Sequence, residues 1–361
     1  MGRYFMDNGS RHQLRTLIED TVDTANTEDI SDYYFASGSP PSMVKRSSLY
    51  KFDGVVDDAS ILNFLRDMDI DMDKTVNGLP YDFAFTLDLD NSRQLRFRGN
   101  LDRRWQGLDL TLRLLPDRIR TLKELGLPEY LYELMNLRQG LVLVCGPTGS
   151  GKSTTMASLV EYVNQTSKKK IVSIEDPIEC IFEEKESIIS QRQILPGGSF
   201  HPHLRAALRQ HPNIIIVGEV RDADTASVLV QAAETGHLVI STLHTASTEQ
   251  TLMRIRELIL NDMKDNILTA LSNILKAVIV QKLFTDYKHR VVAAYEICMV
   301  DTAIQQAIRS DKFHQILNYM QYKRHITGSV TMNEILKEFV DKGHITLEEA
   351  LRLSYDPENL K

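Results

Sequence analysis

The sequence predicts an α/β protein: a mostly parallel sheet covered on both faces in its larger C-terminal part, with a smaller α+β module ahead of it. Three observations predict this. Near-continuous apolar runs recur after residue 140, at Leu141–Cys145, Ile171–Ile174, Ile214–Val217 and Leu238–Thr242, the pattern of strands buried on both faces. Stretches suited to crossover helices lie between or beside them, at Thr154–Thr166, Leu204–Gln210, Asp224–Glu234 and Thr248–Leu260. The first third instead alternates apolar and polar residues at Tyr81–Leu87, Gln94–Leu101 and Leu108–Leu115, the period of half-buried strands, beside a helical stretch Ala59–Asp67.

The expected organisation is an N-terminal α+β domain over 1–116, a linker over 117–128 and a second domain over 129–361. Pro116 and the polar run Asp117–Lys123 punctuate the connector, and Leu125-Gly126-Leu127-Pro128 opens the second domain. Past residue 261 the pattern predicts helices at Asn266–Leu283, Thr302–Arg309, Lys312–Tyr322, Thr331–Lys342 and Leu347–Leu353. Thr346 with Glu349 three residues on forms a capping box for the last of these.

Directly after the first apolar run stands Gly146-Pro147-Thr148-Gly149-Ser150-Gly151-Lys152-Ser153, followed by Thr154 and a helix. Strand, Gly-rich loop and helix in this order make a nucleoside triphosphate phosphate cradle. Glycines at 146, 149 and 151 let successive backbone N–H groups turn toward one anion, where a Cβ would block the turn or the close approach of a phosphate. Lys152 adds a point charge for the β- and γ-phosphates, the Ser153 hydroxyl is placed to ligate Mg²⁺, and the helix N-terminus faces the negative charge. The whole run Gly146 to Thr154 is expected to bind ATP with Mg²⁺, in a RecA-like P-loop core.

Composition bounds the alternatives. With 361 residues, 42% hydrophobic and 25% charged, the chain suits a soluble protein with two cored domains. The net charge of −7 argues against generic duplex nucleic-acid or membrane-surface binding. Met1–Leu14 is polar and unlike a secretory signal, Met6 breaks a myristoylation pattern, and the apolar runs are strand-sized, so any membrane association is expected to go through a partner. Cys145, Cys180 and Cys298 are too scattered for a disulfide framework or a Cys-x-x-Cys metal site, which fits a reducing cytoplasm.

Downstream segments offer groups for hydrolysis. Ile174-Glu175-Asp176-Pro177-Ile178-Glu179 follows a strand end, and Pro177 holds Asp176 out of the α region, so its acids project from a fixed bend. Glu179 is the candidate for polarising the attacking water, against a plain solvated acidic loop. Ile214–Val217, Gly218 and Glu219 form a buried strand ending in one acid, a candidate for metal-bound water or merely a strand end. His237 and His244 flank an apolar strand at an odd separation, so they need not share a role; His244 and Thr242 lie at the end suited to sensing a γ-phosphate. Arg96, Arg98, Arg103, Arg104 and Arg113 cluster in the first domain, either as phosphate ligands or as a solvated face; Arg205 and Arg209 share one helix face.

Together these residues resemble the secretion ATPase superfamily of type II and type IV secretion and type IV pili, and within it the pilus retraction (twitching motility, PilT-type) ATPases. The family's boxes stand in order: Walker A at Gly146–Ser153, an Asp box at Ile174–Glu179, an atypical Walker B at Ile214–Glu219 and a His box at Gly236–Thr245. The resemblance reaches upstream through Arg96-Phe97-Arg98 and Leu112–Pro116 and, more weakly, downstream through Tyr295-Glu296, Met320-Gln321, Thr331-Met332 and Glu348–Ala350.

It implies a homohexameric cytoplasmic motor with a PAS-like N-terminal domain, hydrolysing ATP with Mg²⁺ and acting on an inner-membrane pilus platform protein. Glu179 matches the catalytic base, Glu219 the Walker B acid that serves the metal, and Lys152 the Walker A lysine. Arg96, Arg98 and Arg113 match arginines that contact nucleotide phosphates, and His237 and His244 belong to the signature box. Two departures stand out: Ala303-Ile304-Gln305-Gln306-Ala307-Ile308-Arg309 replaces an Ala-Ile-Arg-Asn-Leu-Ile-Arg type motif, and Asp32-Tyr33-Tyr34-Phe35 replaces an Asp-Leu-His-Leu type segment. Assembly ATPases of these systems carry a Cys-x-x-Cys zinc motif and an extra N-terminal region, neither of which this sequence has, which favours retraction. A secretion or conjugation ATPase, and a nucleic-acid translocase, are the alternatives.

Overall fold

The computed structural model describes residues 13–24, 30–45, 48–70, 79–89, 94–116, 118–195, 197–259, 264–287, 290–322 and 324–360. The N-terminal stretch up to His12, with Gly2 and Met6, and the expected boundary residues Asp117 and Leu260 lie outside them. The chain forms two compact units. One comprises Met1–Arg118, Pro177–Cys180 and Leu195–Gly197; the other comprises Ile119–Asp176, Ile181–Ile194 and Gly198–Lys361.

In the first unit, β1 (Ile30–Ala36), β2 (Ser42–Lys45), β3 (Ser48–Lys51), β4 (Tyr81–Asp88), β5 (Gln94–Arg104) and β6 (Gly107–Leu114) form one antiparallel sheet in the order β3-β2-β1-β6-β5-β4. Among the described residues two helices, α1 (Gln13–Thr24) and α2 (Asp58–Asp67), accompany it. Asp57 caps α2 by accepting from the Ser60 amide at 2.7 Å, satisfying one donor the helix start leaves open. Along β5 the alternation works as the sequence predicts. Leu95, Phe97 and Leu101 are buried in an aromatic-rich core, with the Phe85 and Phe97 rings 5.3 Å apart, and Arg96 and Arg98 fall on the other side of the pleat.

The second unit holds a seven-stranded sheet. Its strands are β7 (Gly140–Cys145), β8 (Lys170–Glu175), β9 (Ile188–Gln193), β10 (Ile214–Val217), β11 (Leu238–Leu243), β12 (Leu275–Thr285) and β13 (Val291–Met299), in the order β13-β12-β7-β11-β10-β8-β9. All neighbours are parallel except β12 with β13. The helices are α3 (Lys152–Thr166), α4 (Phe200–Leu208), α5 (Ala223–Glu234), α6 (Thr248–Ile259), α7 (Lys264–Ile274), α8 (Thr302–Arg309), α9 (Ile316–Tyr322), α10 (Arg324–Thr327), α11 (Met332–Asp341) and α12 (Leu347–Leu353). The apolar runs are continuous because both faces are covered. Leu141, Leu143, Val172, Ile215 and Val239 enter one core, and Val142, Val144, Ile171, Ile216 and Ile240 the other. Leu122 and Leu127, from the expected linker, are buried in the second of these cores.

One expected helix is corrected. Asn266–Leu283 is helical only to Ile274, and from Leu275 the chain runs straight on as β12 between β7 and β13. Val278, Ile279 and Val280 are β-branched and fully buried on a central strand, and such a run has no alternation to separate it from a buried helix. The Thr346–Glu349 capping box is present, with the Thr346 amide donating to Glu349 at 2.9 Å and the Glu349 amide to Thr346 at 3.1 Å. A second box, Thr331 with Glu334, starts α11.

Candidate nucleotide-binding site

In the second unit β7, β11, β10 and β8 are consecutive neighbours and parallel, so the loops leaving their C-terminal ends share one edge. Gly146–Gly151 leaves β7 there. Pro147–Ser150 is a tight turn closed by the Ser150 amide on the Pro147 carbonyl at 3.2 Å, and Gly149 takes the left-handed φ of +77° at its third position. Gly146 is bound by a different constraint. Its φ is +144°, and a Cβ there would stand 2.3 Å from the backbone oxygen of Gln281 in β12.

The loop's donors match a polyphosphate. Among the described residues, no protein acceptor takes the amides of Thr148, Gly149 or Gly151. Lys152 is only 8% exposed, and its Nζ donates to the carbonyls of Gly146 at 2.8 Å and Pro147 at 2.9 Å, which holds the ammonium over the loop. Ser153 is exposed at the first turn of α3 and Thr154 is half-buried beside it. Amides, one ammonium and hydroxyls, without a loop carboxylate, suit an anion at a helix N-terminus. Among the described residues no three His, Cys, Asp or Glu side chains form a metal cage. Mg²⁺ fits such a place, since it keeps several waters and binds through phosphate oxygens with one or two protein groups; Ser153 and Glu219 are the candidates.

The neighbouring strand ends bring together four titratable side chains. Gly218 follows β10 and its amide donates to the Ile174 carbonyl at 2.8 Å, while the Thr242 hydroxyl donates to the Gly218 carbonyl at 2.5 Å, so the Glu219 backbone is held between β8 and β11. The Glu219 carboxylate forms a close ion pair with Arg221 and lies 3.5 Å from His244 Nε2. Arg221 also reaches Asp176 at 3.3 Å. Its guanidinium pKa is pushed up, first by the hydrogen bond to Glu219. Sequence reasoning missed Arg221, because its role depends on β8 lying beside β10 and no local spacing announces that.

In the first unit, β5–β6 register sets Arg98 directly opposite Arg113, with Arg96 two residues along the same face. Like charges placed so repel, and acids relieve them. Arg113 Nε donates to Asp32 at 2.9 Å, Arg98 lies 3.8 Å from Glu179, and Arg96 donates to the Ile178 carbonyl through Nε at 3.2 Å and Nη2 at 2.9 Å. Glu179 thus groups with the arginine face, and Glu219 and His244 with the cradle's sheet edge.

The remaining candidates lie apart. His237, at the opposite end of β11 from His244, has Nδ1 3.1 Å from the Ala232 carbonyl, a contact at the C-terminal end of α5. Arg205 and Arg209 are exposed along α4 and its C-cap. Among the described residues no helix is long and apolar enough to cross a membrane.

Comparison with known proteins agrees over most of the chain. The family model described as "Type II/IV secretion system protein" matches residues 58–352. The type IV pilus retraction ATPase PilT of Pseudomonas aeruginosa is 39% identical over 283 residues, covering 77% of this chain and 82% of that protein. A twitching motility protein of Neisseria gonorrhoeae is 37% identical over 285 residues, covering 78% and 75%. The crystal structure of the pilus retraction motor PilT with bound ADP superposes with a TM-score of 0.83 at 35% identity, covering 95% of this chain and 98% of that one.

Proposed function

The chain belongs to the type II/IV secretion system protein family, and from that premise we propose that it is a homohexameric ATP-hydrolysing motor that powers type IV pilus retraction. The observation that carries the reading is the phosphate cradle Gly146–Ser153 standing at one sheet edge with the Glu219–His244 pair, in a chain similar along most of its length to retraction ATPases.

The free loop amides and Lys152 bind the phosphate tail and offset charge as the terminal phosphoryl leaves. Mg²⁺ would be held by Ser153 and Glu219 and would supply Lewis-acid neutralisation of the phosphate oxygens. Arg221 and His244 fix the direction in which Glu219 points. Glu179 takes the proton of the attacking water, and the face of Arg96, Arg98 and Arg113 is offered to phosphate oxygens. The motor works in the cytoplasm, reaches the inner membrane through a pilus platform protein and takes pilins out of the fibre.

A strain deleted for the gene should carry excess surface pili and lose twitching; normal piliation and motility would remove the proposal. The family's description also favours a second reading, export of protein or nucleoprotein. Loss of a secreted substrate with pili unchanged in the same strain would select it.

A further inference from the structure

Thr248 opens α6 four residues after His244. Its amide and its hydroxyl both donate to one carboxylate oxygen, Oε1 of Glu296 on β13, at 2.9 and 2.7 Å. Glu296 is 1% exposed. Burying a carboxylate is costly, and an apolar side chain would fill the same place more cheaply. The helix end does not depend on it alone, because Ser247 already provides a local cap by accepting from the Gln250 amide at 3.2 Å. What Glu296 adds is a tie from β13 to the first residue of α6.

The residues between Thr248 and His244 are fixed as well. Thr251 donates its hydroxyl to the Ser247 carbonyl at 2.8 Å and lies 2.7 Å from the Thr245 hydroxyl, and the Ala246 amide donates to Gln250 Oε1 at 3.1 Å. Leu243, the residue before His244, is paired with Cys145 at the end of β7, and the Gly146 amide donates to the Leu243 carbonyl at 3.2 Å. His244 therefore leaves a frame held at one end by β7 and at the other by Glu296.

We propose that Glu296 is a positioning residue for His244 and Thr242, fixing the turn so that it reads the terminal phosphate and lets the protein distinguish a nucleoside triphosphate from a diphosphate. This rests on the nucleotide reading above. Glu296 touches no nucleotide itself; it acts through Thr248.

The test is calorimetric titration of the full chain with ADP and with a non-hydrolysable ATP analogue, both with Mg²⁺. Glu296→Gln keeps an oxygen for both Thr248 donors and should retain the wild-type ratio of the two affinities. Glu296→Leu removes both hydrogen bonds made by Thr248, so the analogue should bind about tenfold more weakly with ADP affinity nearly unchanged. Thr248→Val, which deletes only the hydroxyl, should fall between them and guards against a Leu variant that does not fold. An unchanged ratio in both Glu296→Leu and Thr248→Val, or an equal loss of both ligands, would overturn the proposal. A wild-type chain that binds neither ligand would overturn the nucleotide reading and this inference with it.

Discussion

Gly146 and Gly149 are equal members of one motif, yet they should respond very differently to alanine. At Gly146 an added Cβ would come within 2.3 Å of the Gln281 backbone oxygen and 2.4 Å of Ser150 Oγ. The first contact is about 1 Å inside ordinary van der Waals distance. It is made to the backbone of a strand paired on both sides, which cannot swing away. Backbone strain at positive φ costs about 1–3 kcal/mol and overpacking about 1–3 more, so Gly146→Ala should lose about 4 kcal/mol. At Gly149 a Cβ meets nothing within 4 Å, and only the left-handed φ of +77° is penalised, by about 1 kcal/mol.

In a unit of this size each kcal/mol moves the melting temperature by roughly 2–4 °C, so the expected drops are about 8–16 °C and about 2–4 °C. The assay is thermal unfolding of the ligand-free chain by circular dichroism and calorimetry. Tryptophan fluorescence would not serve, because the sole tryptophan, Trp105, is 92% exposed in the first unit. A Gly146→Ala melt no lower than that of Gly149→Ala would refute the argument that strand packing, rather than the turn alone, demands this glycine.

Lys152→Ala should lower phosphate release by about a hundredfold or more, the equivalent of roughly 3 kcal/mol of charge stabilisation; turnover like the wild type would take Lys152 out of its role. Glu179→Gln should keep nucleotide affinity while turnover falls roughly 10²- to 10⁴-fold, and a parallel loss of both would indicate a folding defect. The Glu296 carboxyl has its pKa raised, burial outweighing the hydrogen bonds from Thr248 and the Met332 backbone and the Lys282 charge. A folded-state pKa above the unfolded one gives stability that is complete below the ordinary carboxyl range and is lost as pH rises through the raised value. Wild type should therefore lose stability relative to Glu296→Gln as pH climbs above about 4.5, and denaturant melts whose difference stays flat up to about pH 8 would contradict this.

The cradle was legible because its physics is local: glycines, a lysine and a hydroxyl within one turn state their own geometry. The parallel strands were legible because burial on both faces leaves apolar runs. The same property hid β12, whose Val278, Ile279 and Val280 look alike to a helix and to a central strand. The short strands of the first unit carried little signal, and β3 is exposed at every residue. His237 and His244 flank β11, the first against the Ala232 carbonyl and the second against Glu219. Arg221 and the Arg98–Arg113 pairing could not be read, because each arises from which strands become neighbours and in what register.

The Lys152 ammonium is clasped by the carbonyls of Gly146 and Pro147. A free lysine side chain loses up to about 2 kcal/mol of rotational freedom when it is immobilised, and here that loss belongs to folding. An arriving anion meets a cation that has stopped searching, so recognition at this loop is governed by how well the loop was built more than by what happens on encounter.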